Sequence, residues 1–411
     1  MSHIKDTNIR ARDSYSLDAA GRFRTSGPEV IFDSKLIQQT KDVLKWDEEL
    51  VSGAGISSST PGATTPYTDI TSSLATAGNF VRQTFNRFNF QGGKSTQVVC
   101  GGVLELSGVT VTGCIRRIGP FEDNQGFFFQ SDAGAIGVGI RLNTTDTITA
   151  QASWNLDVMD GTGPSGITAD FTNLQDFFFD YSWPGRVRYG LVIEGLIHYV
   201  HQVLTLNEAT VPSTATPNCP IRYEMITTAA SGICVMRCVE AAVNTDGKFD
   251  DVGILFYDSS ENVPVFCEDE DTNYAIMGIR LKSTALGTRI RILNLTFLLE
   301  ESSDTIEWYL LFNPTVADTF TYAGITDSAV ETAHGATANT VTGGTRILGG
   351  YIASGANAQG NATVSIPVRL IQERLGAAID GTVDEIVVAA TPINDSSDVN
   401  VQGGMNWLEQ V

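Results

Sequence analysis

Residues 155–203, NLDVMDGTGPSGITADFTNLQDFFFDYSWPGRVRYGLVIEGLIHYVHQV, contain the pattern that decides the fold. Three runs in this stretch are rich in aromatic and β-branched residues and are bounded by glycine or proline, which predicts strands over 176–183, 186–193 and 196–203. From Val187 to Ile193 apolar residues occupy alternate positions, as in a strand with one face in a core. Glu194 and Gly195 fit a tight hairpin turn, because glycine accepts a positive φ. The stretch is therefore predicted to be an antiparallel meander.

The same chemistry extends along the chain and predicts an all-β fold. Strand patterns begin near residue 80 and recur towards the C-terminus, and the 40 glycines favour turns over long helices. Residues 52–67 are a low-complexity run of Ser, Thr, Gly and Pro, which alone cannot bury enough apolar surface to offset its ordering entropy. We therefore expect an antiparallel β-sandwich, jelly-roll or lectin-like, with an extended N-terminal arm and a smaller C-terminal β domain. The predicted boundaries are an arm and linker at 1–75, the sandwich at 76–303 and the C-terminal domain at 304–411.

Composition and charge limit the partners. The 411 residues include 26 Lys and Arg against 47 Asp and Glu, a formal net charge of −21. Such a surface repels nucleic-acid phosphate, so nucleic-acid binding is not expected. No apolar run is long enough to span a membrane, and the N-terminus lacks the apolar segment of a signal peptide. Six scattered cysteines predict reduced, buried thiols in a protein assembled inside a cell.

Catalytic and metal-binding patterns are weak. Some β-sandwich glycosidases use paired carboxylates, for which Asp170, Asp176, Asp180 and Glu194 are the candidates. Asp176 and Asp180 fall on one strand face, but four residues of extended strand separate them by more than either usual catalytic spacing. The acidic run at 268–271 lacks the spacing of a calcium loop. The sequence therefore predicts a protein that is not an enzyme, with no catalytic residue, no cofactor and no metal site.

Several segments together resemble a family of virion structural proteins of tailed phages, of the aquatic or marine type. The segments that carry the resemblance are Ala20–Ser26 (AGRFRTS), Phe32–Ser34, Arg82–Thr84, Gly93–Ser95, Arg116–Phe121 (RRIGPF), Ser153–Asp157, Asp160–Gly166 and Gly185–Gly190. The resemblance covers roughly the first half of the chain. It implies a place in a virion, assembled in the host cytoplasm, and leaves open whether that place is capsid, neck, tail or fibre.

The resemblance implies a structural role rather than a reaction. We expect a homo-oligomer, a trimer by analogy, that docks to other virion structural proteins through its N-terminal arm. The residues expected to make the assembly contacts combine charge with aromatic surface and are Arg22, Phe23, Arg24, Phe32 and Trp46.

An alternative hypothesis is a receptor- or glycan-binding module of a fibre or spike that attaches to a host-surface glycan. Aromatic side chains stack on sugar rings, and Trp154 and Trp183 are the candidates for such stacking. Aromatic residues of a sandwich are more often part of its core or of an interface. The sequence leaves the structural role and the glycan-binding role both open.

Overall fold

The structure, a computed structural model, describes residues 27–37, 39–73, 76–106, 111–229, 232–248, 252–261, 263–299, 305–353, 360–365, 375–393 and 399–410. The chain divides into two compact units, residues 1–250 and 251–411. Within the described residues the regular elements are 28 strands and one turn of 3-10 helix at Gln151–Ser153. No helix in this part of the chain is long and apolar enough to cross a membrane. The all-β prediction is confirmed.

The first unit is an antiparallel sandwich of two sheets. Its described strands are β1 Pro28–Lys35, β2 Trp46–Gly53, β3 Ile56–Ser58, β4 Thr68–Ser72, β5 Gly78–Thr84, β6 Thr96–Val103, β7 Cys114–Pro120, β8 Gln125–Asp132, β9 Ala135–Leu142, β10 Thr145–Ala150, β11 Gln175–Ser182, β12 Arg186–Ile193, β13 Leu196–Leu204, β14 Ile221–Thr227 and β15 Cys234–Asp246. Sheet I has the order β13-β12-β11-β6-β15-β4-β3, and β1 also pairs with β15. Sheet II has the order β10-β9-β8-β7-β14-β5-β2.

The core of the first unit lies between the two sheets and is rich in aromatic rings. Phe129 of sheet II is fully buried, and its ring centroid lies 5.1 Å from Phe177 and 5.5 Å from Phe179 of sheet I. It also meets Tyr189 edge-on at 5.8 Å. Because alternate residues of a strand face opposite sides, the middle phenylalanine of each triple, Phe128 or Phe178, points away from this core.

The meander predicted from residues 155–203 is confirmed. Its strands are β11, β12 and β13, each within one residue of the predicted bounds. Glu194 and Gly195 both have positive φ, 55° and 77°, as a two-residue turn between right-twisted strands requires. This meander forms one edge of sheet I.

A disulfide joins the two sheets of the first unit. It connects Cys114 on β7 with Cys234 on β15, which are 120 residues apart in sequence. The prediction that all six cysteines are reduced is therefore wrong for these two. The four remaining cysteines are free and buried: Cys100, Cys219, Cys238 and Cys267. Sequence spacing did not reveal the bond, because only the packing of the sheets brings its two ends together.

The second unit is a separate β-sandwich. Its described strands are β16 Ile254–Ser259, β17 Val265–Cys267, β18 Tyr274–Leu281, β19 Arg289–Leu299, β20 Thr305–Phe312, β21 Thr315–Val316, β22 Ala323–Gly324, β23 Val330–His334, β24 Val341–Thr342, β25 Thr345–Ala353, β26 Gly360–Ser365, β27 Glu385–Pro392 and β28 Val399–Gln410. One sheet has the order β16-β28-β19-β26, with β17 also on β28, and the other has the order β22-β23-β18-β27-β20-β25. Strands β21 and β24 pair separately. Side chains of both larger sheets, including Leu295, Leu310 and Trp407, share one core.

The predicted boundaries differ from those in the structure. The break between units falls at 250/251 rather than at 303/304, because β16 and β19 pair with the C-terminal strand β28. The predicted arm is wrong for residues 27–73, since β1 and β4 pair with β15, β2 with β5 and β3 with β4. The Ser- and Thr-rich run at 52–67 contributes backbone hydrogen bonds at the edges of the sheets, where large apolar side chains are not needed. Arg22, Phe23 and Arg24 lie outside the described residues.

Candidate functional site

A recess of about 320 Å³ lies at one end of sheet I, beside the turn that joins β11 to β12. The turn closes tightly, because the Gly185 N–H donates to the Ser182 carbonyl at 2.7 Å. The Thr205 N–H donates to the Gly185 carbonyl at 2.9 Å, which ties the end of β13 to the same turn. The recess is therefore built on backbone hydrogen bonds of the sheet. Its lining residues are Ser182, Trp183, Pro184, Gly185, Arg186, Leu204 and Leu206.

Trp183 forms the aromatic wall of this recess. Its indole N–H donates to the Thr214 carbonyl at 3.0 Å, and its ring is half-buried against the sandwich core. Leu204 and Leu206 form apolar walls and are 48% and 67% exposed. Arg186 also lines the recess. A fixed aromatic ring, aliphatic walls and a few polar groups are typical of small-ligand sites.

Trp154, the second predicted stacking residue, belongs to the core instead. It is 5% exposed, and its ring meets Phe129 edge-on at 6.1 Å. Its indole N–H donates to the Thr149 carbonyl at 3.3 Å. Trp154 and Trp183 therefore do not form a common ligand surface, and the prediction for Trp154 is wrong.

Phe32 and Trp46, the two described members of the predicted assembly set, are also core residues. They are 4% and 5% exposed and lie edge-on at 6.1 Å. The Trp46 indole N–H donates to the Ser34 hydroxyl at 2.8 Å, and the Arg82 guanidinium covers the Trp46 ring at 4.7 Å. Their aromatic surface is buried within the chain itself, so these two residues do not present it to another subunit.

The acids of the glycosidase hypothesis do not converge. Asp180 is fully buried, with its carboxylate bonded to Arg188 and Ser95 and accepting from the Tyr199 hydroxyl at 3.0 Å. Glu194 is exposed in the hairpin turn at the other end of β12. Asp176 lies on the same outer face of sheet I as Asp180 and is in register with Val192, two residues before Glu194.

The structure instead pairs Asp176 with Glu240, a residue that the sequence analysis did not single out. Both are in register with Gly101 on β6, one on each side. A methyl group on Gly101 would lie 3.2 Å from the Asp176 Oδ1 atom and 2.9 Å from the Glu240 Cγ atom. The two acids thus meet over a position without a side chain. The sequence signal for this approach of two acids is the glycine pair at 101–102. It can be recognised only when the pairing of β6 with β11 and β15 is known.

The Asp176 and Glu240 carboxyls both have raised pKa values. Burial raises the pKa of Asp176. Burial and then the nearby charge of Asp176 raise the pKa of Glu240, against the opposing effect of Lys35. Among the described residues neither carboxylate accepts a hydrogen bond or forms an ion pair that would offset this cost. The pair is electrostatically strained, but no third ligand joins it, and the described residues contain no cluster of three metal-ligating side chains.

Sheet II carries a second charged group on its outer face, and this one is neutralised internally. Arg117 contacts the Glu224 carboxylate at 2.9 Å, and Arg222 and Arg141 approach it at 3.5 and 3.9 Å. Arg117 and Arg141 also contact Asp146, at 2.9 and 2.7 Å. Because each charge has an opposite partner, this cluster is a structural network rather than a ligand site. Of the two arginines in the RRIGPF segment, Arg117 belongs to this network. Arg116 points inwards, and its guanidinium donates a hydrogen bond to the Leu104 carbonyl at 3.0 Å.

Comparisons with known proteins identify no family. No protein-family model and no curated protein matches the chain. Among solved structures, an endo-1,3-beta-glucanase from Streptomyces sioyaensis aligns with a TM-score of 0.36 and 11% identity, over 55% of this chain and 98% of its own. The Emp47p carbohydrate recognition domain aligns with a TM-score of 0.33 and 10% identity, over 54% of this chain and 97% of its own. Peanut lectin aligns with a TM-score of 0.31 and 10% identity, over 53% of this chain and 97% of its own. At these identities and TM-scores the likenesses indicate nothing about function.

Proposed function

We propose that the protein is a non-enzymatic glycan-binding module that holds a sugar ring in the recess at Trp183. The observation that carries the proposal is the indole of Trp183, fixed by Thr214 in the wall of a 320 Å³ recess with exposed leucines beside it. The C–H face of a sugar ring packs on such an apolar wall, and its hydroxyls remain in reach of Arg186 and water. The recess is at the small end of ligand pockets and suits one ring.

The expected affinity is modest, because one ring covers little area. Burying roughly 100 Å² of apolar surface is worth about 2.5 kcal/mol at the usual coefficient of about 25 cal/mol per Å². A further polar contact brings the dissociation constant to the millimolar or high micromolar range. Trp183 is the anchor in this arrangement, so its truncation should remove most of the binding energy.

The test is a glycan array on the full chain, followed by titration of the glycans that bind. Trp183→Ala should weaken binding by at least about tenfold, as loss of an anchor residue does. Leu196→Ala is the matched control, because Leu196 is 54% exposed at the opposite end of β13 from Leu204. Absence of any glycan that binds, or equal binding by the Trp183 and Leu196 variants, would remove this function.

A second candidate function, which we also propose, is that of a self-associating structural protein, as the virion family resemblance implies. The observation in its favour is apolar surface along β16, an edge strand of the second unit. Ile254 and Leu255 of this strand are 64% and 65% exposed, and Val252 and Val263 beside it are 77% and 63% exposed. A bare apolar edge strand is a site for pairing with another chain, here a second copy.

Light scattering during size-exclusion chromatography tests this second function. Leu255→Asp should lower the mass of the wild-type assembly, because a charge at the edge opposes strand pairing. Val211→Asp is the control, since Val211 is 60% exposed in the first unit. A wild-type protein that is monomeric across the concentration range would count against self-association, and the absence of the protein from purified particles would count against a virion role.

A further inference from the structure

A groove of about 450 Å³ crosses the outer face of one sheet of the second unit. Met405 and Phe297 point from this sheet into the core, so their neighbours along the strands point outwards. Ser259 of β16, Gly404 of β28 and Thr296 of β19 are in register across the outer face. The residues that line the groove are Tyr257, Ser259, Ser260, Glu261, Thr296, Phe297, Leu298, Gln402, Gly403 and Gly404.

Gly404 forms the floor of this groove. A methyl group at this position would lie 2.6 Å from the Thr296 Oγ1 atom and 3.0 Å from the Tyr257 hydroxyl. Its φ is not positive, so the backbone there does not require glycine. The missing side chain therefore supplies room, and two hydroxyl groups converge over the space it leaves.

One wall of the groove is fixed by Ser260, which is 3% exposed. The Ser260 N–H donates to the Gly403 carbonyl at 2.9 Å, and the Gly403 N–H donates to the Ser260 hydroxyl at 3.1 Å. This reciprocal pair attaches the turn after β16 to the groove floor. Glu261 follows in the left-handed region with φ of 48°, which non-glycine residues adopt rarely. The anchored turn holds the Glu261 residue at the rim.

The chemistry of the lining selects a class of ligand. The Tyr257 ring, 57% exposed, and Leu298 supply apolar surface. The Tyr257 and Thr296 hydroxyls and the Glu261 carboxylate supply hydrogen-bonding groups. Neither hydroxyl makes a hydrogen bond to another residue in the described part of the chain. The lining contains no Lys, Arg or His, and its one charge is negative. A ligand with an apolar ring face, many hydroxyls and no negative charge matches this surface.

We propose that this groove is a second saccharide site, which binds a neutral sugar through stacking on Tyr257 and hydroxyl contacts with Thr296 and Glu261. It lies in a different unit from the recess at Trp183 and does not depend on that recess being a glycan site. A glycan-binding protein with one site in each of two units gains avidity for a polymer that spans both.

The experiment uses the full chain carrying Trp183→Ala, so that the first recess does not contribute. Ligand-observed NMR is recorded with maltose, cellobiose and lactose, and with glucose and glucuronic acid as a neutral and an anionic probe of equal size. At least one neutral sugar should bind, and glucuronic acid should bind more weakly than glucose, because Glu261 repels its carboxylate.

Two further variants locate the site. Gly404→Ala fills the floor with the smallest side chain, whose methyl group meets the ends of the Thr296 and Tyr257 side chains, so binding should fall at least about tenfold. The unfolding temperature, measured alongside, checks that the variant remains folded. Tyr257→Ala should have the same effect, while Leu255→Ala, 65% exposed on the same strand, should have none. The proposal is overturned if no neutral probe binds in the Trp183→Ala background, if glucuronic acid binds as well, or if neither variant weakens binding. It is also overturned if Tyr257→Ala changes only the oligomeric mass.

Discussion

Replacing Glu224 by glutamine removes the central negative charge of the network on sheet II while keeping the shape of the side chain. Glu224 is 2% exposed and is approached by the guanidinium groups of Arg117, Arg222 and Arg141. Breaking a buried ion pair costs about 3–5 kcal/mol when the partner charge is left alone. Here Asp146 still compensates two of the arginines, so we expect a smaller loss of about 2–3 kcal/mol.

The matched control for Glu224→Gln is Asp123→Asn. Asp123 also pairs with Arg222, but its side chain is 72% exposed, so solvent screens the interaction and the loss should stay below about 1 kcal/mol. Amide hydrogen exchange of β14 peptides measures the stability of the first unit independently of the second. A loss of 2–3 kcal/mol corresponds to roughly 30- to 150-fold faster exchange through global opening. Equal effects of the two substitutions would refute the assignment of Glu224 as the centre of a buried network.

Three further predictions concern stability. Asp176→Asn should raise the unfolding temperature at pH 7 and have no effect near pH 3. The pKa of the Asp176 carboxyl is raised in the folded state, so its contribution to stability is fully present below the unfolded pKa of about 4 and is lost as pH rises. A constant difference between the two proteins across a pH series would contradict this. Cys114→Ser should cost about 3–5 kcal/mol in denaturant unfolding, since the bond closes a loop of 120 residues, and an unchanged midpoint would show that the bond does not form. Trp46→Ala should cost about 3–5 kcal/mol by the same measurement, as for a core residue, whereas a residue in an unpacked arm would cost almost nothing.

The sequence predicted most accurately those elements whose chemistry is local. Alternation from Val187 to Ile193 and the Glu194–Gly195 turn depend on neighbouring residues alone, and β11 to β13 follow the prediction. Residues 27–73 were misassigned because their strands gain stability from β15 and β5, which lie far away in sequence. Apolar content within a window does not report hydrogen bonding to a distant strand.

The candidate site was predictable only in part. Trp154 and Trp183 both lie near chain turns and are indistinguishable by residue type, yet one packs on Phe129 in the core and the other lines a recess. The approach of Asp176 to Glu240 and the groove over Gly404 both depend on a glycine in register between two strands. Register across a sheet is a tertiary property, so neither feature has a signature in the linear sequence.

The most direct test of glycan binding at Trp183 is fluorine NMR of the chain labelled with 5-fluorotryptophan. The chain has five tryptophans, each of which should give its own resonance, and Trp183→Phe assigns the one from the recess. Titration with a glycan identified on the array should shift the Trp183 resonance in a saturable way, while those of the buried Trp46 and Trp154 stay in place. The titration is repeated with Tyr257→Ala, so that the groove of the second unit does not contribute. A glycan that binds this variant without moving the Trp183 resonance would contradict the assignment of the recess as its site.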